Sequence, residues 1–277
     1  MTIWTGAPRR PIARQPAVLA ALGWLVLVGL GVGFVQLLVP TDPMAADTAR
    51  VLLAPGPGGP LGTDLLGRDM LARLLWGGRQ TLGMAAVALT VAVGLGLPTG
   101  LAAGTLGGWI EAVLMRLVEA QLAFPGLLMA MAVVALLGPG VGSVAVAVGL
   151  AAAPAYARVA RSAALAVLSQ PYVEAARAVG CTEWRILVRH VLPNAAATLV
   201  AFAATQLGWV LLNGAALNFL GLGVRLGTPE WGAMLAEGRG YLRDGPWVSA
   251  YPGMALTLTV LAANVVGDGL QQVLRPR

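Results

Sequence analysis

Ala17-Val-Leu-Ala-Ala-Leu-Gly-Trp-Leu-Val-Leu-Val-Gly-Leu-Gly-Val-Gly-Phe-Val-Gln-Leu-Leu-Val39 runs for 23 residues without a charge. A helix of ~20 apolar residues crosses the hydrocarbon core of a bilayer, so this stretch is long enough to span one. It exceeds the ~7–15-residue apolar core of a secretory signal and ends in Gln36-Leu-Leu-Val-Pro40 rather than at a small-residue cleavage site, so it reads as a retained helix. Four further uncharged stretches follow: Gln80 to Ile110, Ala120 to Ala157, Val191 to Val224 and Gly245 to Gly267. Over the 277 residues, 58% are hydrophobic and 11% charged, against the ~25% charged residues of soluble chains. The composition is that of an all-α integral membrane protein.

The charge inventory excludes several chemistries. All 18 basic residues are Arg. Without Lys there is neither a Walker A phosphate loop nor a Schiff-base nucleophile. One cysteine, Cys181, closes no internal disulfide, and one histidine, His190, leaves no His pair for a zinc site, so no metal is expected on this chain. The four serines, Ser143, Ser162, Ser169 and Ser249, have no histidine beside them in the apolar stretches, which argues against an intramembrane hydrolase, and no catalytic residue is assigned. Basic residues do not cluster with aromatics, so a sequence pI near 10.6 does not indicate nucleic-acid binding.

Breaks between the apolar stretches set out six spans. Pro40 to Arg79 carries Ala54-Pro-Gly-Pro-Gly-Gly-Pro60 and reads as an extramembrane loop. The second span lies within Thr81 to Thr105, Gly107-Gly108 turns the chain, and a third helix begins near Ala112 and stops at Gly138-Pro139-Gly140, with Arg116 and Glu119 spaced to pair. A fourth span covers about Val141 to Ala157, a fifth about Ala195 to Phe219, and the last Tyr251 to about Val266, after a loop over Gly221 to Ser249. With both termini in the cytoplasm, 11 arginines fall inside and seven outside, which agrees with the positive-inside rule. Gly96, Gly100 and Gly104 share one helix face at the four-residue spacing that lets helices approach closely in lipid. No acid or histidine lies deep in a span and no internal repeat is visible, which disfavours a proton-coupled secondary carrier acting alone.

Between spans four and five the chain is charged yet helical in pattern. Ser169-Gln170-Pro171 is a helix start with proline at the first helical position, Glu174 suits the positive end of the dipole, and Gly180 is the stop. Tyr172, Ala175, Ala176 and Val179 recur at helical spacing, with Glu174 and Arg177 off that stripe as an i,i+3 pair. A second short helix starts at Thr182, carries Trp184, Leu187, Val188 and Val191 on one face, and ends before Pro193. Two placements satisfy this pattern. The pair docks onto another protein, or it lies on lipid headgroups with Arg185 and Arg189 toward the phosphates.

Glu174-Ala-Ala-x-x-x-Gly180 followed by Leu192-Pro193 resembles the cytoplasmic loop of binding-protein-dependent ABC importer permeases. Arg189-His-Val-Leu-Pro-Asn194 is similar to the version in one branch, the C-type permeases of dipeptide, oligopeptide and nickel importers. Leu61-Gly-Thr-Asp-Leu-Leu-Gly-Arg-Asp69, Asn218-Phe-Leu-Gly-Leu-Gly-Val224, Glu230-Trp-Gly-Ala-Met-Leu235 and Asn264-Val-Val-Gly-Asp-Gly-Leu270 match that branch too, so the resemblance covers most of residues 40–277. The tail departs from it: Leu274-Arg-Pro-Arg277 stands where the branch carries Leu-Asp-Pro-Arg.

The resemblance implies the six-helix transmembrane fold of a type I ABC importer in a bacterial inner membrane. Residues 1–79 would hold a cytoplasmic tail, the first helix and a periplasmic loop; 80–272 the five-helix core with a coupling loop at 169–193; and 273–277 a cytoplasmic tail. It implies that Tyr172, Glu174, Ala175, Ala176, Gly180, Trp184, Arg185, Leu192 and Pro193 belong to a loop that inserts into an ATPase subunit. The implied partners are a homologous second permease, two ATP-binding subunits and an extracytoplasmic binding protein, with ATP and Mg bound on the ATPases and no cofactor here. Asp64, Arg68, Asp69, Glu230 and Trp231 are candidates for contact with the binding protein, or for bridges and turns that order the outer loops. Peptide is the first expectation for the substrate, and nickel or a chelated metal the second.

Overall fold

The computed structural model describes residues 16–56, 59–225 and 227–274, and within them the regular structure is helical. Arg9, Arg10, Arg14, Arg275 and Arg277, which enter the charge count above, lie outside the described residues. The elements are α1 (Pro16–Gly33), α2 (Val35–Leu38), α3 (Met70–Leu106), α4 (Gly108–Leu122), α5 (Gly126–Leu137), α6 (Val141–Leu168), α7 (Pro171–Ala178), α8 (Glu183–Ile186), α9 (Leu192–Phe219), α10 (Trp231–Gly238) and α11 (Trp247–Leu274). Five helices are long and apolar enough to cross a membrane, and α4 with α5, bent by 92° at their junction, brings the number to six when the pair is counted as one broken span. This arrangement follows from the solvent: in lipid each backbone N–H and C=O must be satisfied within its own segment, and a helix does that.

The centre of the bundle is the contact of α3 with α6. Ideal Cβ atoms show why the three spaced glycines are there. One added at Gly96 would sit 2.5 Å from the Ala153 carbonyl oxygen, and one at Gly104 2.9 Å from Ala164 Cβ; at Gly100 it would overlap the Ala157 carbonyl. Backbone therefore meets backbone along a seam of Gly against Ala, the close packing by which membrane helices associate. On the periphery α1 lies against α11, where Trp24 Nε1 donates to Thr259 Oγ1 at 3.1 Å, while Leu19, Val26, Leu27 and Leu30 point outward as lipid-facing residues do.

Several boundaries differ from those expected of the sequence. The second span starts at Met70, because Asp69 caps it by accepting the Leu71 N–H at 2.9 Å and Met70–Trp76, apolar apart from Arg73, carries helix out of the loop. The third helix begins at Gly108 and is not continuous to Gly138. It breaks at Ala123-Phe124-Pro125, where proline has no N–H to continue the ladder. The fourth continues through Pro154 to Leu168. Nor does a helix end before Pro193. A π turn over Leu187–Val191, in which Leu192 N–H reaches the Leu187 carbonyl, joins α8 to α9. That wider turn displaces the carbonyls with which the proline ring would otherwise clash. The Arg116–Glu119 pair is also absent. Glu111 of α4 instead receives Arg161 of α6, with Arg161 Nε 2.6 Å from Oε1.

Candidate functional site

At one end of the bundle the chain leaves α6 and folds into α7, a glycine turn and α8. Pro171 opens α7 after the extended Gln170, and Gly180 closes it with φ +87°, a left-handed conformation that other residues adopt only at a penalty. Gly180 and Cys181 N–H groups donate back to the Arg177 and Ala176 carbonyls at 2.9 and 3.0 Å, and the Thr182 hydroxyl then caps α8 by accepting the Arg185 N–H at 3.4 Å. Arg177 does not pair with Glu174. It grips Glu183 across the turn through Nε–Oε1 at 2.8 Å and Nη2–Oε2 at 3.0 Å, which lowers the Glu183 carboxyl below its ordinary range. Such exposed pairs contribute at most about 1 kcal/mol. Here the pair sets the angle between two short helices.

The apolar residues of this segment divide into two faces. Val173, Ile186 and Val191 are buried with Leu101 of α3 and Ala164 and Val167 of α6 and seat the segment on the ends of those helices, and Ala176 is buried too. Val179 at 82%, Trp184 at 73%, Val188 at 46% and Tyr172 at 45% remain exposed, joined by Ala175. The stripe expected over Tyr172, Ala175, Ala176 and Val179 is thus split, Ala176 facing inward and the others outward, because the segment packs on Val173, one residue off that stripe. Glu174, Arg185, Arg189 and Pro193 are exposed around this face, Leu192 is partly buried, and the Tyr172 and His190 rings lie 5.9 Å apart. An exposed apolar surface held on a rigid seat can bind another protein.

At the opposite end, two loops and two helices meet at a buried four-charge cluster. Arg68 Nε and Arg73 Nε lie 2.6 and 3.2 Å from Asp64 Oδ2, and the Nη2 atoms of both arginines lie 3.2 and 2.8 Å from Glu237 Oε2. Both guanidinium groups also donate to the Gly227 carbonyl, at 3.1 and 3.0 Å, and Gly227 N–H donates to Glu237 Oε1 at 2.8 Å. Two positive and two negative groups, each multiply hydrogen-bonded, satisfy the condition under which buried charge is tolerated. Arg73 and Glu237 were not among the sequence candidates. The signal was an arginine inside the otherwise apolar Met70-Leu-Ala-Arg-Leu-Leu75.

Four of the five candidates for binding-protein contact are buried, which favours the second role expected of them, bridges and turns that order the loops. Asp64 and Arg68 are inside that cluster, and Glu230 and Trp231 are buried as well. Trp231 Nε1 donates to the Leu74 carbonyl at 2.9 Å and its ring lies over Gly77 and Gly78, so its surface is used within the chain. Asp69, partly buried, caps α3. These residues order the outer loops.

Glu230 caps α10 through the Ala233 N–H at 2.9 Å and accepts the Thr81 hydroxyl at 2.7 Å, and it has no ion-pair partner among the described residues. Burial pushes its carboxyl above the ordinary carboxylate range. The folded state then holds a proton that the unfolded chain releases, so stability is greatest in acid and falls as pH rises from the ordinary value through the raised one. Glu230→Gln stays neutral and keeps an acceptor for the cap. Its melting temperature, compared with the parent's from mildly acid to neutral pH in detergent, is expected to lack that fall. Parallel curves would contradict the assignment.

The fold is that of a type I ABC importer transmembrane subunit. One solved structure, described as an inward-facing conformation of the MetNI methionine ABC transporter, superposes with a TM-score of 0.62 over 75% of this chain and 98% of its own, at 22% identity. The family described as "binding-protein-dependent transport system inner membrane component" matches residues 96–277, and this chain belongs to it. It is 39% identical over its whole length to the glutathione transport system permease protein GsiD of Pectobacterium atrosepticum, covering 92% of that protein. It is 36% identical to the probable D,D-dipeptide transport system permease protein DdpC of Escherichia coli, over 96% of this chain and 88% of the other. The dipeptide transport system permease protein DppC of Alkalihalophilus pseudofirmus is also 36% identical, over 88% of this chain and 80% of that protein. The chain is a multi-pass inner-membrane subunit of an ABC transport system.

Proposed function

We propose that this chain is the permease subunit of an ATP-driven importer of di- and oligopeptides, forming half of the translocation pathway. It works with a homologous second permease, two ATP-binding subunits that hold ATP and Mg, and an extracytoplasmic binding protein. Both termini and the α7–α8 segment face the cytoplasm. The observation that carries this reading is the outward apolar face of Tyr172, Val179, Trp184 and Val188 on a segment whose other face is locked to α3 and α6. A push on that face is transmitted to the two helices that form the closest contact in the bundle. The peptide class is supported by relatives whose names specify glutathione, dipeptide and D,D-dipeptide transport.

Trp184 is the largest exposed side chain of the face, and truncating a central aromatic anchor of an interface removes about 2 kcal/mol or more of binding. Trp184→Ala is expected to weaken retention of the ATPase about thirtyfold in pull-down from detergent, with the melting temperature of the chain unchanged. Gly180→Leu adds strain at φ +87° and a bulky side chain where nothing lies within 4 Å. It is expected to reduce uptake of a labelled dipeptide while ATP hydrolysis and membrane insertion persist. Unchanged ATPase retention and unchanged uptake in the two variants would refute the docking role.

A further inference from the structure

A seam between α4 and α6 holds two cavities that meet at Val118. The first, of about 220 Å³, is an uncharged and mostly apolar groove walled by Leu95 of α3, Leu114 and Leu117 of α4, and Leu150 and Pro154 of α6, with Thr99 and Gln121 as its polar members. The second, of about 420 Å³, lies further toward the α7–α8 end and is lined by Glu111, Arg116, Glu119, Arg158 and Arg161. Within it the Arg161–Glu111 bridge fixes one wall. Arg116 and Arg158, from different helices and both exposed, have no ion-pair or hydrogen-bond partner among the described residues, and neither has Glu119. Three arginines against two glutamates leave this cleft one positive charge in excess.

We propose that this seam is a binding site for an anionic glycerophospholipid, its phosphodiester held between Arg116 and Arg158 and an acyl chain lying in the groove beside Leu114 and Leu117. The chemistry fits at both ends. A single phosphodiester neutralises the excess charge, and paired guanidinium groups present donors matched to phosphate oxygens. A headgroup hydroxyl, as in phosphatidylglycerol, gives Glu119 a donor. Beyond Val118 the lining carries no charge and is apolar apart from Thr99 and Gln121, which suits an acyl chain better than a soluble anion. Basic clefts between spans at one membrane face are a known means of selecting anionic headgroups. The inference does not depend on the substrate, but it rests on the proposed assembly in one respect: the α4–α6 seam faces lipid and the second permease covers another side of the bundle.

The test is native mass spectrometry of the full chain, purified with whatever subunits accompany it, after incubation with phosphatidylglycerol, phosphatidylcholine or inorganic phosphate. Phosphatidylglycerol is expected to be retained about tenfold more strongly than phosphatidylcholine, a preference removed in Arg116→Gln/Arg158→Gln and preserved in Arg116→Lys/Arg158→Lys. The charge-keeping pair separates loss of the site from loss of the fold. Equal retention of the two lipids would overturn the proposal, as would a preference untouched by the glutamine pair. Displacement of phosphatidylglycerol by inorganic phosphate would reassign the cleft to a soluble phosphate compound. Loss of a copurifying permease in the glutamine pair, with no bound lipid in the parent, would instead make the seam a protein interface and equally overturn the lipid site.

Discussion

Arg73→Met is expected to destabilise the protein by about 3–5 kcal/mol, the range for breaking a buried ion pair by removing one member. Arg73 is 1% exposed, and its loss leaves one arginine, Arg68, facing both Asp64 and Glu237. The cluster changes from neutral to one negative charge in excess in a site closed to water. Glu237 loses its shorter contact, 2.8 Å, and keeps the one of 3.2 Å to Arg68. Because Gly227 and Glu237 belong to the loop and helix after α9 whereas Arg73 belongs to α3, the expected consequence is release of the outer loops from the second span. Thermal melting in detergent and limited proteolysis within residues 221–245 are the measurements. Adding Glu237→Gln restores charge balance and is expected to recover about 1–2 kcal/mol, a coupling typical of residues in one network. If the single variant melts with the parent, the cluster contributes nothing to the fold and its charges are solvated.

Gly100→Leu is expected to give no folded, monodisperse protein, and Gly100→Ala to lose about 3 kcal/mol, the upper end for overpacking. Even one methyl at Gly100 coincides with the Ala157 carbonyl oxygen and lies 2.7 Å from Ala160 Cβ. The obstacle is backbone, which cannot rotate away as a side chain tip does, so α3 and α6 must separate along their whole contact. Gly94 is the control in the same helix. It has nothing within 4 Å of an added Cβ, and Gly94→Ala there should be neutral or stabilising by about 0.5–1 kcal/mol. Fluorescence-detected size exclusion of the three variants in detergent separates the outcomes. A sharp, parent-like peak for Gly100→Leu would show that the helices are not in contact at this point in solution.

The two ends of the molecule differ in how much the sequence disclosed. The α7–α8 segment was readable because its determinants are local: proline at the first helical position, glycine at the left-handed stop and threonine before the second helix all act within a few residues. The stripe was misaligned there because helical spacing finds an apolar face without saying which part of it meets the rest of the chain. Val179 is as apolar as Val173, and only the seat formed by Leu101, Ala164 and Val167 separates them. The π turn before Pro193 is not legible for a similar reason: proline marks a disturbed helix but does not distinguish an end from a widened turn.

The loops at the other end depend on determinants far apart in the chain, so the sequence leaves their two roles, surface contact or internal bridges, undivided. Asp64, Arg68 and Glu230 look like surface charges, since charged residues in a loop are usually solvated. Their burial depends on partners far along the chain: Arg73 meets Glu237 across 164 residues and Thr81 meets Glu230 across 149. The sequence by itself determined that the chain is helical, which stretches are long and apolar enough to cross a membrane though not their ends, which glycines form the seam and which segment stands outside the bundle, since each rests on hydrophobic length, small-residue spacing or a local cap. Only the tertiary structure decided which charges are locked together and which apolar side chains are left outward. A hydrogen bond or ion pair acts over about 3 Å, and no periodicity along the chain records which distant residues folding brings that close.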